Sequence, residues 1–140
     1  MIVLDTNVLS ELMRAQPAHA VLAWLDRQPT ADLFITAITV AEILYGIERL
    51  PQGQRREQLS ATAGRILADA FTGRVLAFDE RAAVAYAALV AAREQSGRPI
   101  GMADAQMAAI CAVHGLSLAT RNTADFVALD IPLIDPWLAT

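Results

Sequence analysis

The chain has 140 residues and carries a formal charge of −4. That is enough length for one domain with a real core, and an acidic balance that excludes a simple basic nucleic-acid binder, whose footprint is a positive patch. The apolar fraction is 55%, but 28 of those residues are alanine, so the larger hydrophobes make up about a third of the chain, an ordinary globular composition.

In chain order, Ile2–Leu4 reads as a short buried strand. Thr6 or Asn7 can cap a helix that runs to about Arg14, and Pro17 breaks it. A second helix covers roughly Ala18–Arg27, with Val21, Leu22 and Leu25 on one face. Leu33–Thr36 is a second strand. The next helix spans about Val40–Leu50, and a polar stretch, PQGQRREQ, leads into a helix over roughly Gln54–Phe71. Val75–Phe78 is a third strand. Asp79 caps a long alanine-rich helix to about Gln95, closed by Gly97 and Pro99. Met102–His114 is a further helix ended by Gly115, Ser117–Thr120 a fourth strand and Leu133–Ile134 a fifth.

Strands alternating with helices predict an α/β fold with a parallel sheet covered on both faces. Ligands then sit outside the carboxyl ends of the strands. No run is long enough to cross a bilayer: the longest apolar stretch is Ala82–Ala92. The start has no basic region before its apolar run, and Asp5 interrupts that run, so it does not read as a signal peptide. A lone cysteine, Cys111, excludes an internal disulfide and fits a reducing cytoplasm.

The acids are the informative residues. Most of the fifteen lie in polar company, but Asp5, Glu42, Asp69 and Asp104 are embedded in apolar sequence. Asp69 falls near a helix end, far from any strand end, and reads as solvated or ion-paired. Each of the others has a structural explanation. Asp5 can cap the helix behind it, Thr39-x-x-Glu42 fits a capping box, and Asp104 suits the positive end of its helix. Their combined position is harder to explain in that way. Asp5 ends the first strand, Glu42 and Asp104 open helices on the same side of the sheet, and the segment ATRNTADF adds Thr120, Arg121, Asn122 and Asp125 to that rim. Carboxylates 4 Å apart repel by about 4 kcal/mol per pair at an effective dielectric of ~20. Protonation or a bound cation must relieve this, and an all-oxygen set suits Mg²⁺ or Mn²⁺. His19 and His114 are too isolated for a zinc site. Acids around a divalent cation, with no nucleophilic Ser or Cys pattern, point to phosphodiester hydrolysis by a metal-activated water.

The motifs LDTNVLSEL, TVAEILYGI, GMADAQMAAICAVHGLSLATRN and the following DF, in that order along the chain, resemble the PIN-domain ribonucleases, and within them the VapC-type toxins of toxin–antitoxin pairs, in the FitB-like branch. The resemblance implies a single domain over 1–140 with a three-layer α/β/α sandwich around a five-stranded, mainly parallel sheet. It implies Mg²⁺- or Mn²⁺-dependent endonucleolytic cleavage of RNA, a cognate antitoxin as partner, and a homodimer that enters a higher toxin–antitoxin assembly. Asp5, Glu42 and Asp104 match the family's three core acids, and Thr6, Asn7 and Thr120 match polar positions that orient water and carboxylates. Asp125 is expected as the fourth metal ligand, with Asn122 the competing candidate. Arg121 is expected either against a phosphate or against Asp125, and Arg49, Arg55 and Arg56 as further cations on the approach.

The composition also weighs on the alternatives. The chain has eleven arginines and no lysine, which disfavours a phosphoacceptor receiver domain and a haloacid-dehalogenase-like phosphatase, since both use a lysine. The latter also wants an acid where Asn7 stands. A non-catalytic RNA- or protein-binding module of the same fold remains the main competitor.

Overall fold

The computed structural model describes residues 1–139. Five strands, β1 (Ile2–Leu4), β2 (Leu33–Thr36), β3 (Val75–Leu76), β4 (Ser117–Ala119) and β5 (Leu133–Ile134), form one sheet in the order β3-β2-β1-β4-β5. Every neighbouring pair is parallel, with Val3 beside both Phe34 and Leu118. The helices are α1 (Thr6–Leu12), α2 (His19–Asp26), α3 (Ala37–Glu48), α4 (Gln54–Arg65), α5 (Glu80–Gln95) and α6 (Met102–His114).

Alternating side chains divide the core into two layers, because successive residues of a strand point to opposite faces. Leu4, Leu33, Ile35 and Ala119 face one cluster, with Val8 and Leu9 of α1, Val21 and Trp24 of α2 and Ile43 and Ile47 of α3. Val3 and Leu118 face the other, with Met107, Ala108 and Cys111 of α6 and Phe126. The α/β/α sandwich follows. Its strand order reverses between β1 and β4, which opens a crevice at their carboxyl ends.

Several local expectations are corrected. Asp5, not Thr6 or Asn7, is the N-cap of α1: its extended backbone ends β1 while its carboxylate accepts from Thr6 N at 2.6 Å. The third helix starts at Ala37, capped by Thr36, whose hydroxyl accepts from Thr39 N at 3.2 Å. Thr39 therefore lies inside the helix, and no capping box joins it to Glu42. On α2 the buried face is Val21 and Trp24, with Leu25 half-buried. Leu22 lies about 100° around the helix from Val21 and is exposed. The α4 helix stops at Arg65, and residues Ile66–Ala70 widen into a π-helical turn that brings Phe71 into the core. The third strand ends at Leu76, short of Phe78.

Candidate active site

The crevice between β1 and β4 is closed by hydrogen bonds that run from one strand end to the other. Asp5 N donates to Ala119 O at 2.9 Å, continuing the β1–β4 ladder by one residue. Beyond it the buried Thr120 donates its hydroxyl to Asp5 Oδ2 at 2.7 Å and accepts from Asn122 N at 3.0 Å. Asn7 spans both loops. Its amide nitrogen lies 3.3 Å from Asp5 Oδ2 and from Thr120 Oγ1, while its carbonyl accepts from Arg121 N at 3.2 Å. Asp5 is only 5% exposed, and these donors offset part of the cost of burying its charge.

Glu42 reaches the crevice from the second turn of α3. Thr6 donates its hydroxyl to Glu42 Oε1 at 2.6 Å. That commits the one hydroxyl proton of Thr6, so at the 3.0 Å contact between Thr6 and Thr39 the hydroxyl of Thr39 is the donor. Asp104 enters from the first turn of α6, where the helix dipole favours a negative charge. No protein group among the described residues hydrogen-bonds to its carboxylate.

A cavity of ≈ 470 Å³ joins Asp5, Glu42 and Asp104 with Thr6, Asn7 and Asn122. Burial and then the charges of Asp5, Asp125 and Glu42 push the Asp104 carboxyl up to about 6. The Asp5 carboxyl is also raised, by burial first and by Glu42 last among the raising causes, against the hydrogen bonds from Thr120 and Thr6. The pocket thus holds more negative charge than its own donors satisfy. Its three carboxylates offer a cation oxygen ligands, which suits a hard divalent ion. As placed, no three Asp, Glu, His or Cys side chains among the described residues already converge to hold a metal ion. Asp5 is held by its three donors and Glu42 by Thr6, whereas Asp104 is the member without a hydrogen-bond partner among the described residues.

Among the other expected site residues, Asn122 lines the cavity, whereas Asp125 lies on the short 3-10 turn Thr123–Phe126, exposed and outside the lining, and acts on Asp104 through its charge. Arg121 does not pair with Asp125. Its guanidinium carbon lies 5.0 Å from the centre of the Trp137 ring. Arg55 opens onto a neighbouring groove, Arg56 pairs with Glu48 at 3.0 Å, and Arg49 stacks on Tyr45. Cys111 is a core thiol that burial pushes up to about 12.

Four cavity residues, Ser10, Glu11, Arg14 and Trp137, were not singled out from the sequence. Glu11 is 5% exposed, accepts from Ala18 N at 2.7 Å and pairs with Arg14 at 3.2 Å. The Ala18 N–H, more than any other group, holds its carboxyl below the usual range. Its spacing with Asn7 and Ser10 places all three on one face of α1, with Arg14 just past the helix end, and that polar stripe beside Asp5 was the available signal. Trp137 closes the far wall and had no such signal, because nothing local ties residue 137 to the strand ends.

Comparison with known proteins agrees with this geometry. The PIN-domain family model matches residues 2–131. The chain is 46% identical over 137 residues to the VapC ribonuclease Y4jK of Sinorhizobium fredii, covering 98% of both chains. It is 40% identical to the toxin FitB of Neisseria gonorrhoeae, covering 98% of this chain and 99% of FitB. A solved structure of FitAB bound to an IR36 DNA fragment superposes with a TM-score of 0.93 at 38% identity, over 100% of this chain and 98% of that one. A sheet switch point lined by acids, with full-length relatives of this kind, has one explanation: the chain belongs to the PIN-domain family, beside FitB and the VapC ribonuclease Y4jK.

Proposed function

We propose that the chain is an Mg²⁺- or Mn²⁺-dependent endoribonuclease and the toxin of a toxin–antitoxin pair. The observation that carries the reading is the gathering of Asp5, Glu42 and Asp104 around one cavity with unrelieved negative charge. These three are the residues that would hold the metal, with Asn122 closing the ring at the cavity and Asp125 contributing charge from outside it. When bound, the cation would supply a hydroxide near neutral pH and neutralise charge growing on the phosphate.

The chain's own residues do the rest. Thr120, Asn7 and the Thr6 N–H hold Asp5 in one orientation. The Thr6 hydroxyl holds Glu42, and Asp104, set in the first turn of α6, keeps its carboxylate clear of protein donors among the described residues and open to the cation.

The partner follows from the same reading. A restrained ribonuclease needs an inhibitor, and the relatives are known in complexes such as FitAcB from Neisseria gonorrhoeae. An antitoxin protein is therefore the proposed partner, with a homodimer as the unit that joins it. The lone buried Cys111 suits the reducing cytoplasm in which such a toxin would act. Among the described residues no helix is long and apolar enough to cross a membrane.

The test is direct. The purified chain should cut RNA when Mg²⁺ or Mn²⁺ is added and stop in EDTA, and Asp104→Asn should lose that activity while keeping its circular dichroism. RNA bound without cleavage at any divalent ion would instead leave a non-catalytic binding module.

A further inference from the structure

We propose that Arg121, whose guanidinium lies over the ring of Trp137, grips a phosphate of the RNA at the mouth of the cavity, and that Trp137 is the positioning residue that aims it. This rests on the reading of an RNA substrate given above. Two arginines stand on the cavity rim, Arg14 and Arg121. The charge of Arg14 is committed: it lies 3.2 Å from the carboxylate of Glu11. Arg121 has no carboxylate within ion-pair distance among the described residues, although the chain as a whole is acidic.

Its geometry is set at both ends. The backbone N–H is held by Asn7 Oδ1 at 3.2 Å, so the root of the side chain is tied to the same residue that orients Asp5. The tip lies 5.0 Å from the Trp137 ring centre. Trp137 is itself packed against the core layer that contains Leu4 and Val8, and its backbone N–H donates to Asp135 Oδ1 at 2.9 Å. A guanidinium stacked on a ring keeps its N–H fork free at the edge, and that fork matches phosphate oxygens two at a time. The floor beside it is acidic, so a phosphate arriving here needs a cation in a fixed place, and Arg121 is the one available on the rim.

The experiment measures binding and cleavage separately. Binding of a short single-stranded RNA of mixed sequence is followed by fluorescence anisotropy on the Asp104→Asn background across a salt series, and cleavage kinetics on the otherwise native chain. Arg121→Ala should weaken binding roughly ten- to hundredfold and reduce the slope of log K against log salt by about 0.7, the share of one phosphate on a single strand. In kinetics the loss should fall on KM, with kcat within about threefold of the native value. Trp137→Leu should raise KM in the same direction and Trp137→Phe should restore it, since a ring is what the guanidinium needs. If the native chain cuts RNA while Arg121→Ala moves neither affinity nor salt slope, the phosphate grip is wrong and the nuclease reading stands. If no RNA is cut but Arg121→Ala still weakens binding and flattens the slope, the grip stands and the nuclease reading falls.

Discussion

The hydroxyl of Thr6 donates to Glu42 Oε1 at 2.6 Å, across 36 residues of sequence and from α1 to α3. That bond separates two roles for Glu42. In a capping box its carboxylate would fold back on the start of its own helix. Here the start of α3 is capped by Thr36, and Glu42 is turned toward Asp5 and Asp104 instead.

Glu42→Ala should therefore abolish cleavage while changing stability by less than about 0.5 kcal/mol, the usual range for an exposed position. Thr36→Ala should do the reverse, costing about 1 kcal/mol or more for the lost cap. Thr6→Val keeps the shape of the side chain, removes the donor to Glu42, and should lower kcat without unfolding the chain. Urea denaturation and RNA cleavage on the three variants check this. A large stability loss in Glu42→Ala would return Glu42 to a structural role.

Divalent cation should stabilise the fold, because a ligand that binds only the folded state adds to its stability. At a hundredfold excess over Kd the gain is about 2.7 kcal/mol, which for a domain of this size is a rise in Tm of roughly 10 °C. Calorimetric scans with Mg²⁺ and with Mn²⁺ should show it, and Asp5→Asn should blunt it. Native protein indifferent to millimolar metal would count heavily against the ligand assignment.

The raised carboxyls give a pH dependence with a definite sign. Asp104 binds its proton more tightly in the fold, at about 6, than in the unfolded chain, at 3.8. Its favourable contribution is thus complete below 3.8 and is lost as pH rises through about 6. Asp5 acts in the same direction. Glu11, whose carboxyl is lowered, acts in the opposite one: its contribution is present above 4.5 and fades as pH falls through its folded value. Comparing native protein with Asp104→Asn in EDTA isolates the first effect. The variant should gain on the native chain between pH 4 and pH 7 by roughly 1–2 kcal/mol, a figure discounted because Asp104 is partly exposed to solvent. A saturating divalent ion should shrink that difference. A gap that does not change with pH would show that Asp104 titrates normally.

Much of this was legible in the sequence, for identifiable reasons. The strands were readable because each is a short apolar run bounded by caps and breakers, and the parallel sheet followed from their alternation with helices. Asp5, Glu42 and Asp104 stood out because a carboxylate inside apolar sequence demands a partner. The starts of α1 and α3 were misplaced because Asp5, Thr6, Thr36 and Thr39 can all cap a helix, and the tertiary bonds of Thr6 to Glu42 and of Thr39 to Thr6 are what engage those two hydroxyls elsewhere. Arg121 was assigned between a phosphate and Asp125, neighbours along the chain. Its actual partner, Trp137, comes from beyond β5 and is brought near only by the β4–β5 pairing.

The antitoxin should dock in the groove of ≈ 800 Å³ between α1, α3 and α4, which is lined by Met13, Ile43, Gly46, Ile47, Leu50 and Leu59 among others. The large hydrophobes of α2 and α3 divide into two sets. Trp24, Ile43 and Ile47 are core residues on their buried side, while Leu44 and Tyr45 stand exposed on α3. The groove continues into the acidic cavity, because Thr6, Ser10, Arg14 and Glu42 line both. A segment that lays an apolar helix in the groove can therefore deliver a basic side chain to the acids, and a guanidinium satisfies clustered carboxylates without metal. Inhibition should weaken as Mg²⁺ rises, since cation and arginine would compete for the same oxygens. Gly46 supplies the decisive variant. A Cβ built there meets no atom within 4 Å, so Gly46→Trp can direct its ring from α3 into the groove, and a glycine in mid-helix is no asset to stability. Gly46→Trp should cut RNA at the native rate and escape the antitoxin by a hundredfold or more in Kd (about 2.7 kcal/mol). A variant still inhibited at native antitoxin concentrations, or inhibition indifferent to Mg²⁺, would place the docking surface elsewhere on the sandwich.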